Sequence, residues 1–237
     1  VKKRERKLVR LQKKVNRANV ITVISKYTEQ VVRQNLILNN KPVHVVYNGN
    51  SLQLFEQTSK PNFIYFDDFI FSIGIISAKK NFHVLLPLLK NNTQLHLVIA
   101  GNKSSAYAQK LIELANKMGV GKQLHLPGTI TDETKYWLYK NCKAFVFPSL
   151  TEGFGLPVVE AMSLGKPVFL STLSSLPEVG GTQAHYWNNF EPQHIVEIFE
   201  QGIQKFDAKK SIESIEWTKQ FSWEQAAKKY LQLYETV

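Results

Sequence analysis

The stretch that decides the fold is residues 123–149, QLHLPGTITDETKYWLYKNCKAFVFPS. It begins and ends with short apolar segments, QLHLPG (123–128) and AFVFPS (144–149), and residues 132–141 between them have the composition and spacing of a helix. An apolar strand, a helix and a second apolar strand in succession are typical of parallel strands that a helix connects across one face of a sheet.

The alternation of strand and helix extends on both sides of this stretch. We predict further strands at FIFSIGI (69–75), HLVIAG (96–101), PVFL (167–170) and HYW (185–187), and helices from about residue 81 and near residues 105–118. Near-continuous apolar strands with right-handed helical crossovers indicate an α/β domain with a doubly wound, Rossmann-like parallel sheet. Ligands bind at the carboxyl ends of such strands, so we expect the function in the loops after Ile75, Ala100, Leu126 and Phe147.

Other segments flank this domain. Residues 1–55 predict a basic helix, two short strands (20–24 and 43–47) and a helix that begins after the cap Ser25. Residues 56–68 contain no periodic element and include Lys60-Pro61-Asn62, which indicates a linker. The Rossmann-like domain then covers residues 69–220. We predict a C-terminal helix over residues 221–237, because SWEQ at 222–225 has the form of a capping box.

The composition of the 237 residues is that of a chain with a sizeable core, since 43% are hydrophobic and 21% are charged. The net charge of +11 is uneven, because nine basic residues and one acidic residue lie within residues 1–17, against 21 basic and 18 acidic residues elsewhere. The single cysteine, Cys142, excludes an internal disulfide framework and is expected to be buried. No apolar run is long enough for a membrane span, so we expect a cytoplasmic protein.

The most informative loop lies within PSLTEGFGLPVVEAMSLGKPV, residues 148–168. Gly153 and Gly155 permit a tight loop, and the amides at the start of the following helix form an anion site suited to a diphosphate. Glu152 on the loop and Glu160 inside the helix would repel that anion, so each is expected to contact sugar hydroxyls instead. The alternative is that both are ordinary acidic residues near a helix N-terminus.

The spacing of Glu152 and Glu160 resembles the E-x7-E motif of retaining glycosyltransferases with the GT-B fold, the glycosyl transferases group 1, family 4 type. Supporting matches occur in order at SIGIISAKKN (72–81), VIAG (98–101), LPG (126–128), AFVFPSLTEGFGLPVVEAM (144–162), GKPVFLS (165–171), SSLPEVGG (174–181) and FSWEQAA (221–227). The resemblance identifies most of the chain as the C-terminal, donor-binding half of that fold. VITVISKYT (20–28) and HVVYNGN (44–50) are similar to the end of its N-terminal acceptor domain.

For the donor site, the resemblance implies that Glu160 binds the ribose of a nucleotide-sugar. Glu152 and the stretch after it are implied to hold the transferred sugar and the diphosphate, the donor-binding residues there being Gly153, Phe154, Gly155 and Leu156. Residues 126–130 are expected to border the base. The resemblance implies no metal and no cofactor besides the nucleotide-sugar substrate.

Lys80 matches the family's lysine that neutralises the diphosphate leaving group, so Lys80 and Glu152 are the expected catalytic residues. The family commonly has an arginine five positions earlier, where this sequence has Ile75. Lys79 is the candidate substitute and is therefore a further expected donor-binding residue, although a lysine lacks the forked geometry of an arginine. The competing interpretation of Lys79 and Lys80 is a solvated helix start.

The resemblance implies a retaining, metal-independent hexosyltransferase of surface polysaccharide synthesis, such as that of lipopolysaccharide. Its donor would be a GDP- or UDP-sugar, and KKN at 79–81 is similar to a subgroup that often uses GDP-mannose. Its acceptor would be a glycan or a lipid-linked glycan. The chain begins with Val rather than Met, so we expect a fragment. Because most of the acceptor domain is missing from it, we expect donor binding with weak or no transfer.

The basic N-terminal helix leaves three interpretations open. A nucleic-acid-binding module is the alternative function, although the sequence contains no recognised nucleic-acid motif and we expect no such partner. The helix could instead attach the protein to the anionic inner face of a membrane, or pack against the protein's own body. Elsewhere, Asp67-Asp68 favours a turn over a metal site, and the histidines, including His44, His96 and His125, lack ligand spacing.

Overall fold

The computed structural model describes residues 2–235. The chain divides into two compact units, of which Ser51–Lys219 form the larger, and the segments before and after them form the smaller. The predicted linker, residues 56–68, belongs to the larger unit and contains neither a helix nor a strand. The C-terminal helix belongs to the smaller unit, together with the N-terminal segments.

Helices and strands alternate along most of the described chain. In chain order they are α1 (Lys2–Arg17), β1 (Ile21–Val23), α2 (Lys26–Asn35), β2 (Val43–Val45), β3 (Phe69–Ile73), α3 (Leu86–Asn91), β4 (His96–Ala100), α4 (Ala106–Lys117), β5 (Leu124–Gly128), α5 (Asp132–Asn141), β6 (Ala144–Phe147), α6 (Leu156–Ser163), β7 (Val168–Ser171), α7 (Leu176–Gly180), β8 (His185–Trp187), α8 (Pro192–Lys205), α9 (Ala208–Thr218) and α10 (Trp223–Glu235). Short 3-10 turns occupy Ala78–Lys80, Phe82–Leu85, Gly121–Gln123 and Gly181–Gln183.

The larger unit is built on a six-stranded parallel sheet with the strand order β5-β4-β3-β6-β7-β8. Phe71 in β3 lies opposite Val98 in β4 on one side and opposite Phe145 in β6 on the other. Every residue of β6 and β7 is buried, as expected for strands that helices cover on both faces. The predicted α/β class with a doubly wound, Rossmann-like sheet is confirmed.

The connection after β3 differs from the prediction of a helix from about residue 81. Asn81 has a left-handed backbone, with φ of +58°, and it separates the 3-10 turn at Ala78–Lys80 from the next one. The α-helix begins only at Leu86, with Pro87 in its first turn, where a missing N–H breaks no hydrogen bond. Lys80 therefore lies on an irregular connection close to the end of β3, and not on a regular helix.

The smaller unit contains a two-stranded parallel sheet in which Thr22 of β1 lies opposite His44 of β2. Along the predicted apolar face of α1, Val15 is buried whereas Leu11 is exposed. The predicted caps are present, since the side-chain hydroxyl of Ser25 accepts a hydrogen bond at the start of α2 and Ser222 does so at the start of α10. Across residues 2–235, no helix combines the length and the apolar character needed to cross a bilayer.

Candidate functional site

The predicted site residues lie where the sheet changes direction. β4 and β5 extend from β3 on one side, whereas β7 and β8 extend from β6 on the other. The chain segments that leave the carboxyl ends of β3 and β6 therefore go to opposite sides, the arrangement that places a ligand crevice between such segments in open α/β sheets. Lys80 follows β3 and Glu152 follows β6, so the two expected catalytic residues border this crevice.

The side chains of Lys80 and Glu152 form an ion pair, with 2.7 Å between Lys80 Nζ and Glu152 Oε1. Both are largely covered, with 18% and 17% of the side chains exposed. Lys80 Nζ also lies 4.3 Å from the ring centre of Phe147, a distance at which the aromatic face attracts a cation. The ammonium group thus contacts both an aromatic ring and a carboxylate.

Glycines at the strand ends make room for this lysine. Gly74 has φ of +145°, and a Cβ atom added to it would lie 3.0 Å from Lys80 Cε. A Cβ atom on Gly101, where φ is +139°, would lie 1.9 Å from the carbonyl oxygen of Gly74, which no side chain can do. The missing side chain of Gly74 therefore leaves room for Lys80, and that of Gly101 lets the end of β4 approach the backbone of Gly74.

The β6–α6 loop, residues 148–155, carries Glu152 and ends at the first residue of α6, Leu156. Gly155 needs glycine because its φ is +121°. The side chain of Phe154 is buried. The loop also contacts the connection after β3, since the N–H of Leu150 donates to the carbonyl of Lys79 over 2.8 Å. The side chains of Lys79 and Ile75 are exposed.

Glu160 lies one turn inside α6 and is only 6% exposed. The hydroxyl of Tyr139 on α5 donates to Glu160 Oε2 over 2.9 Å, and Lys135 Nζ lies 3.5 Å from Glu160 Oε1. Lys135 also pairs with Asp132 at 3.0 Å. The structure therefore brings Glu160 together with α5 side chains, while Glu152 has a separate cation partner in Lys80.

The pKa shifts of Tyr139 and Lys135 on α5 are consistent with their contacts with Glu160. Burial, and next the charge of Glu160, raise the pKa of Tyr139 well above its usual value, so the phenol stays a hydrogen-bond donor at neutral pH. Burial disfavours the charge on Lys135, but Asp132 and Glu160 outweigh it and raise the pKa of that ammonium group. Glu160 thus faces one neutral donor and one cation.

Sequence reasoning missed Tyr139 and Lys135 as neighbours of the site. Their spacing of four residues on α5 does place them on one helix face, and a tyrosine in a covered helix needs a partner for its hydroxyl. The sequence contains no pattern from which the packing of this face against α6 could be predicted. In the same way, the sequence predicted Phe147 as a strand residue but not its contact with Lys80.

Other candidates from the sequence have structural partners. Asp67 pairs with Lys60 at 2.9 Å and Asp68 with Lys143 at 2.7 Å, and no cluster suited to a metal ion occurs among residues 2–235. Cys142 is buried, and burial raises the pKa of its thiol to about 12, so it is unreactive at neutral pH.

Two histidines form a contact that their sequence positions did not indicate. His96 Nδ1 and His125 Nε2 are 2.9 Å apart, and the ring of Phe66 stacks on His96 at 4.0 Å. Since β4 begins at His96, this pair lies away from the carboxyl ends of the strands. It is therefore not part of the candidate site, and His44 in the smaller unit is exposed.

The combination of a Rossmann-like sheet, a largely covered lysine after β3 and two glutamates eight positions apart agrees with the family that the sequence resembles. The family model described as "Glycosyl transferases group 1" matches residues 56–205. The chain belongs to this family of glycosyltransferases.

Similar proteins include two mannosyltransferases of Escherichia coli. The chain is 33% identical over 179 residues to the serotype-specific mannosyltransferase WbdA of Escherichia coli, an alignment that covers 72% of this chain and 22% of that protein. It is 32% identical over 173 residues to O-antigen chain mannosyltransferase B of Escherichia coli, covering 69% of this chain and 44% of that protein. The chain thus spans less than half the length of these relatives.

Solved structures with GT-B architecture share the fold. HepE of Anabaena, solved in complex with UDP and glucose, superposes with a TM-score of 0.83 at 19% identity, over 97% of this chain and 67% of that one. Sucrose-phosphate synthase of Thermosynechococcus elongatus superposes with a TM-score of 0.83 at 19% identity, over 98% of this chain and 61% of that one. At this identity the likeness concerns the fold alone.

Proposed function

We propose that this chain is the donor-binding part of a retaining, metal-independent hexosyltransferase that uses a nucleotide-sugar. The observation that carries the proposal is the ion pair of Lys80 and Glu152, 2.7 Å apart at the point where the sheet changes direction. A ligand in this crevice meets a cation for its phosphates and a carboxylate for its hydroxyls, which are the two partners that a sugar diphosphate needs. Metal independence rests on the family resemblance.

In this proposal the donor lies with its nucleoside towards Glu160 and its sugar towards Glu152. Glu160 keeps acceptor capacity beyond the hydrogen bond from Tyr139, because a carboxylate has about four lone-pair sites. Lys80 stabilises the negative charge that develops on the diphosphate as the glycosidic bond breaks. Residues 153–156 border the same end of the donor, and Lys79 is the candidate for a second cation.

The transferred sugar in this proposal is mannose, delivered from GDP-mannose to a glycan or lipid-linked acceptor in surface polysaccharide synthesis. Two similar proteins, one named a serotype-specific mannosyltransferase and the other an O-antigen chain mannosyltransferase, support this choice. The complex of HepE with UDP and glucose makes a UDP-sugar the alternative donor. Because the chain spans only part of these relatives, we propose donor binding with little or no transfer by this chain by itself.

The cellular setting belongs to the same proposal. A lipid-linked acceptor would place the enzyme at the cytoplasmic face of a membrane, and the basic helix α1 suits an anionic lipid surface. Family membership gives no support to a nucleic-acid function, so we do not propose one.

Calorimetric titration of the chain with GDP, UDP, GDP-mannose and UDP-glucose tests the proposal. We expect binding of one nucleotide series, and we expect Glu160→Gln to weaken it at least about tenfold, because a ribose hydroxyl loses a charged acceptor worth about 1.5–3 kcal/mol. Glu133→Gln is the matched control, since Glu133 is an exposed acidic residue of α5. If none of the four compounds binds, the proposal is wrong.

A further inference from the structure

Three serine hydroxyls, from the last residue of β7 (Ser171) and from the segment that follows it (Ser174 and Ser175), hold the β6–α6 loop from one side. Ser171 Oγ donates to the carbonyl of Ser149 over 2.6 Å, and Ser175 Oγ donates to the carbonyl of Phe154 over 2.7 Å. Between these two contacts, Ser174 Oγ accepts the N–H of Glu152 over 2.9 Å. The loop is therefore fixed near both ends and at the residue that carries the catalytic carboxylate.

The backbone of Ser174 makes its contact unusual. Ser174 has φ of +56°, in the left-handed region that residues with a side chain adopt at an energetic cost and that glycine adopts freely. Backbone strain of this kind persists where the surrounding structure enforces it, and it is concentrated at functional sites. A serine at a position whose backbone suits glycine indicates that its hydroxyl group serves a purpose.

We infer that Ser174 is a positioning residue, which fixes the backbone of Glu152 so that its carboxylate faces Lys80 and the sugar end of a bound donor. The inference rests on the proposed function and deepens it. Ser174 acts through the N–H of Glu152, while Ser175 donates to the carbonyl of Glu152 over 3.1 Å as well as to that of Phe154, and Ser171 supports the start of the same loop. The nucleoside end of the donor, at Glu160, does not depend on this contact, because its partners come from α5.

Ser174→Gly separates positioning from stability. The substitution removes the hydroxyl that accepts the N–H of Glu152, keeps the contact of Ser175 with the carbonyl of Glu152, and relaxes the left-handed backbone at the same position. A positioning role therefore predicts weaker donor binding in a protein that unfolds at the same or a higher temperature. A merely structural role predicts that stability and binding fall together.

The test compares GDP-mannose, which carries a mannose and two phosphates, with GMP, which keeps the ribose but lacks the mannose and the second phosphate. For Ser174→Gly we expect the Kd of GDP-mannose to rise about five- to tenfold, since one neutral hydrogen bond is worth about 1 kcal/mol, and the Kd of GMP to stay within about twofold. Ser174→Asn is the rescue variant, because asparagine tolerates the left-handed region and its amide oxygen can accept the N–H of Glu152. We expect it to bind GDP-mannose within about threefold of the unsubstituted chain.

The possible outcomes distinguish failure of the positioning role of Ser174 from failure of the proposed function. If the unsubstituted chain binds uridine nucleotides instead, UDP-glucose and UMP take the places of GDP-mannose and GMP. Unchanged binding of the nucleotide-sugar by Ser174→Gly, or an equal loss for the nucleoside monophosphate, overturns the inference and leaves the proposed function standing. Failure of the unsubstituted chain to bind either nucleotide series overturns the proposed function, and this inference with it.

Discussion

The contact between Tyr139 and Glu160 allows a quantitative test of how the site is built. Tyr139→Phe removes one hydroxyl group and keeps the ring, which packs edge-on against Phe71 with 5.0 Å between ring centres. The lost hydrogen bond is 2.9 Å long, buried and made to a carboxylate. Hydrogen bonds to charged groups contribute about 1.5–3 kcal/mol to stability, and the loss lies towards the upper end of that range when the remaining partner is buried.

The expected change in unfolding temperature follows from this free energy. For a chain of this size, each kcal/mol shifts Tm by about 2–4 °C, so Tyr139→Phe should lower Tm by about 3–12 °C at neutral pH. Differential scanning calorimetry measures the shift directly. The variant should also bind nucleotides more weakly, because the Glu160 carboxylate loses the donor that orients it.

Tyr186→Phe is the matched control, because it removes the same group from a different acceptor. The hydroxyl of Tyr186 donates to the neutral carbonyl of Gly181 over 2.7 Å. A hydrogen bond between neutral groups is worth about 0.5–1.5 kcal/mol, so the control should shift Tm by roughly half as much. If Tyr139→Phe changes Tm no more than Tyr186→Phe does, the charge of Glu160 is not what makes this contact strong, and the reasoning is refuted.

Two further predictions concern the cation and the histidine pair. Lys80→Met should raise the Kd of GDP or UDP by about ten- to a hundredfold in calorimetric titrations, because a charge-assisted hydrogen bond to phosphate is lost. Lys79→Met should have a smaller effect, because the side chain of Lys79 is exposed. Equal effects of the two substitutions would contradict the assignment of Lys80 as the main diphosphate cation. Burial, and next the neighbouring His96, lower the pKa of His125 to about 4 from 6.5, and burial lowers the pKa of His96 as well. The unfolded chain therefore takes up protons below pH 6.5 before the folded chain does, so stability should fall as the pH is lowered from 6.5 to about 4. Thermal unfolding across this pH range measures the slope, which should be shallower in His125→Gln but not in His44→Gln.

The sheet could be predicted from the sequence because strands that are buried on both faces are recognisable as runs of apolar residues. Strands such as β6 consist of consecutive apolar residues. The connection after β3 was predicted less well. A helix was expected from residue 81, but the left-handed backbone of Asn81 depends on tertiary context that short-range spacing does not reveal.

The candidate site was predictable in part for a similar reason. Lys80 and Glu152 lie 72 positions apart, and only the family resemblance and the rule for strand ends placed them together. Contacts between side chains of different helices, such as Tyr139 with Glu160, leave no periodic pattern in the sequence. Ser174 is harder still, because its signal is a backbone angle that appears only in three dimensions.

The two glutamates differ in what holds them, and this difference separates the two ends of the proposed donor site. Glu160 lies on a helix, is buried, and has a tyrosine and a lysine as fixed partners, so its orientation is set before a nucleoside arrives. Glu152 lies on a loop that depends on serine hydroxyls of a neighbouring segment. Loops adjust more readily than packed helices, so the sugar end is the part that small substitutions should retune. Ser174→Gly should therefore discriminate between nucleotide-sugar and nucleoside monophosphate, whereas Tyr139→Phe should weaken both, since every such ligand carries the ribose.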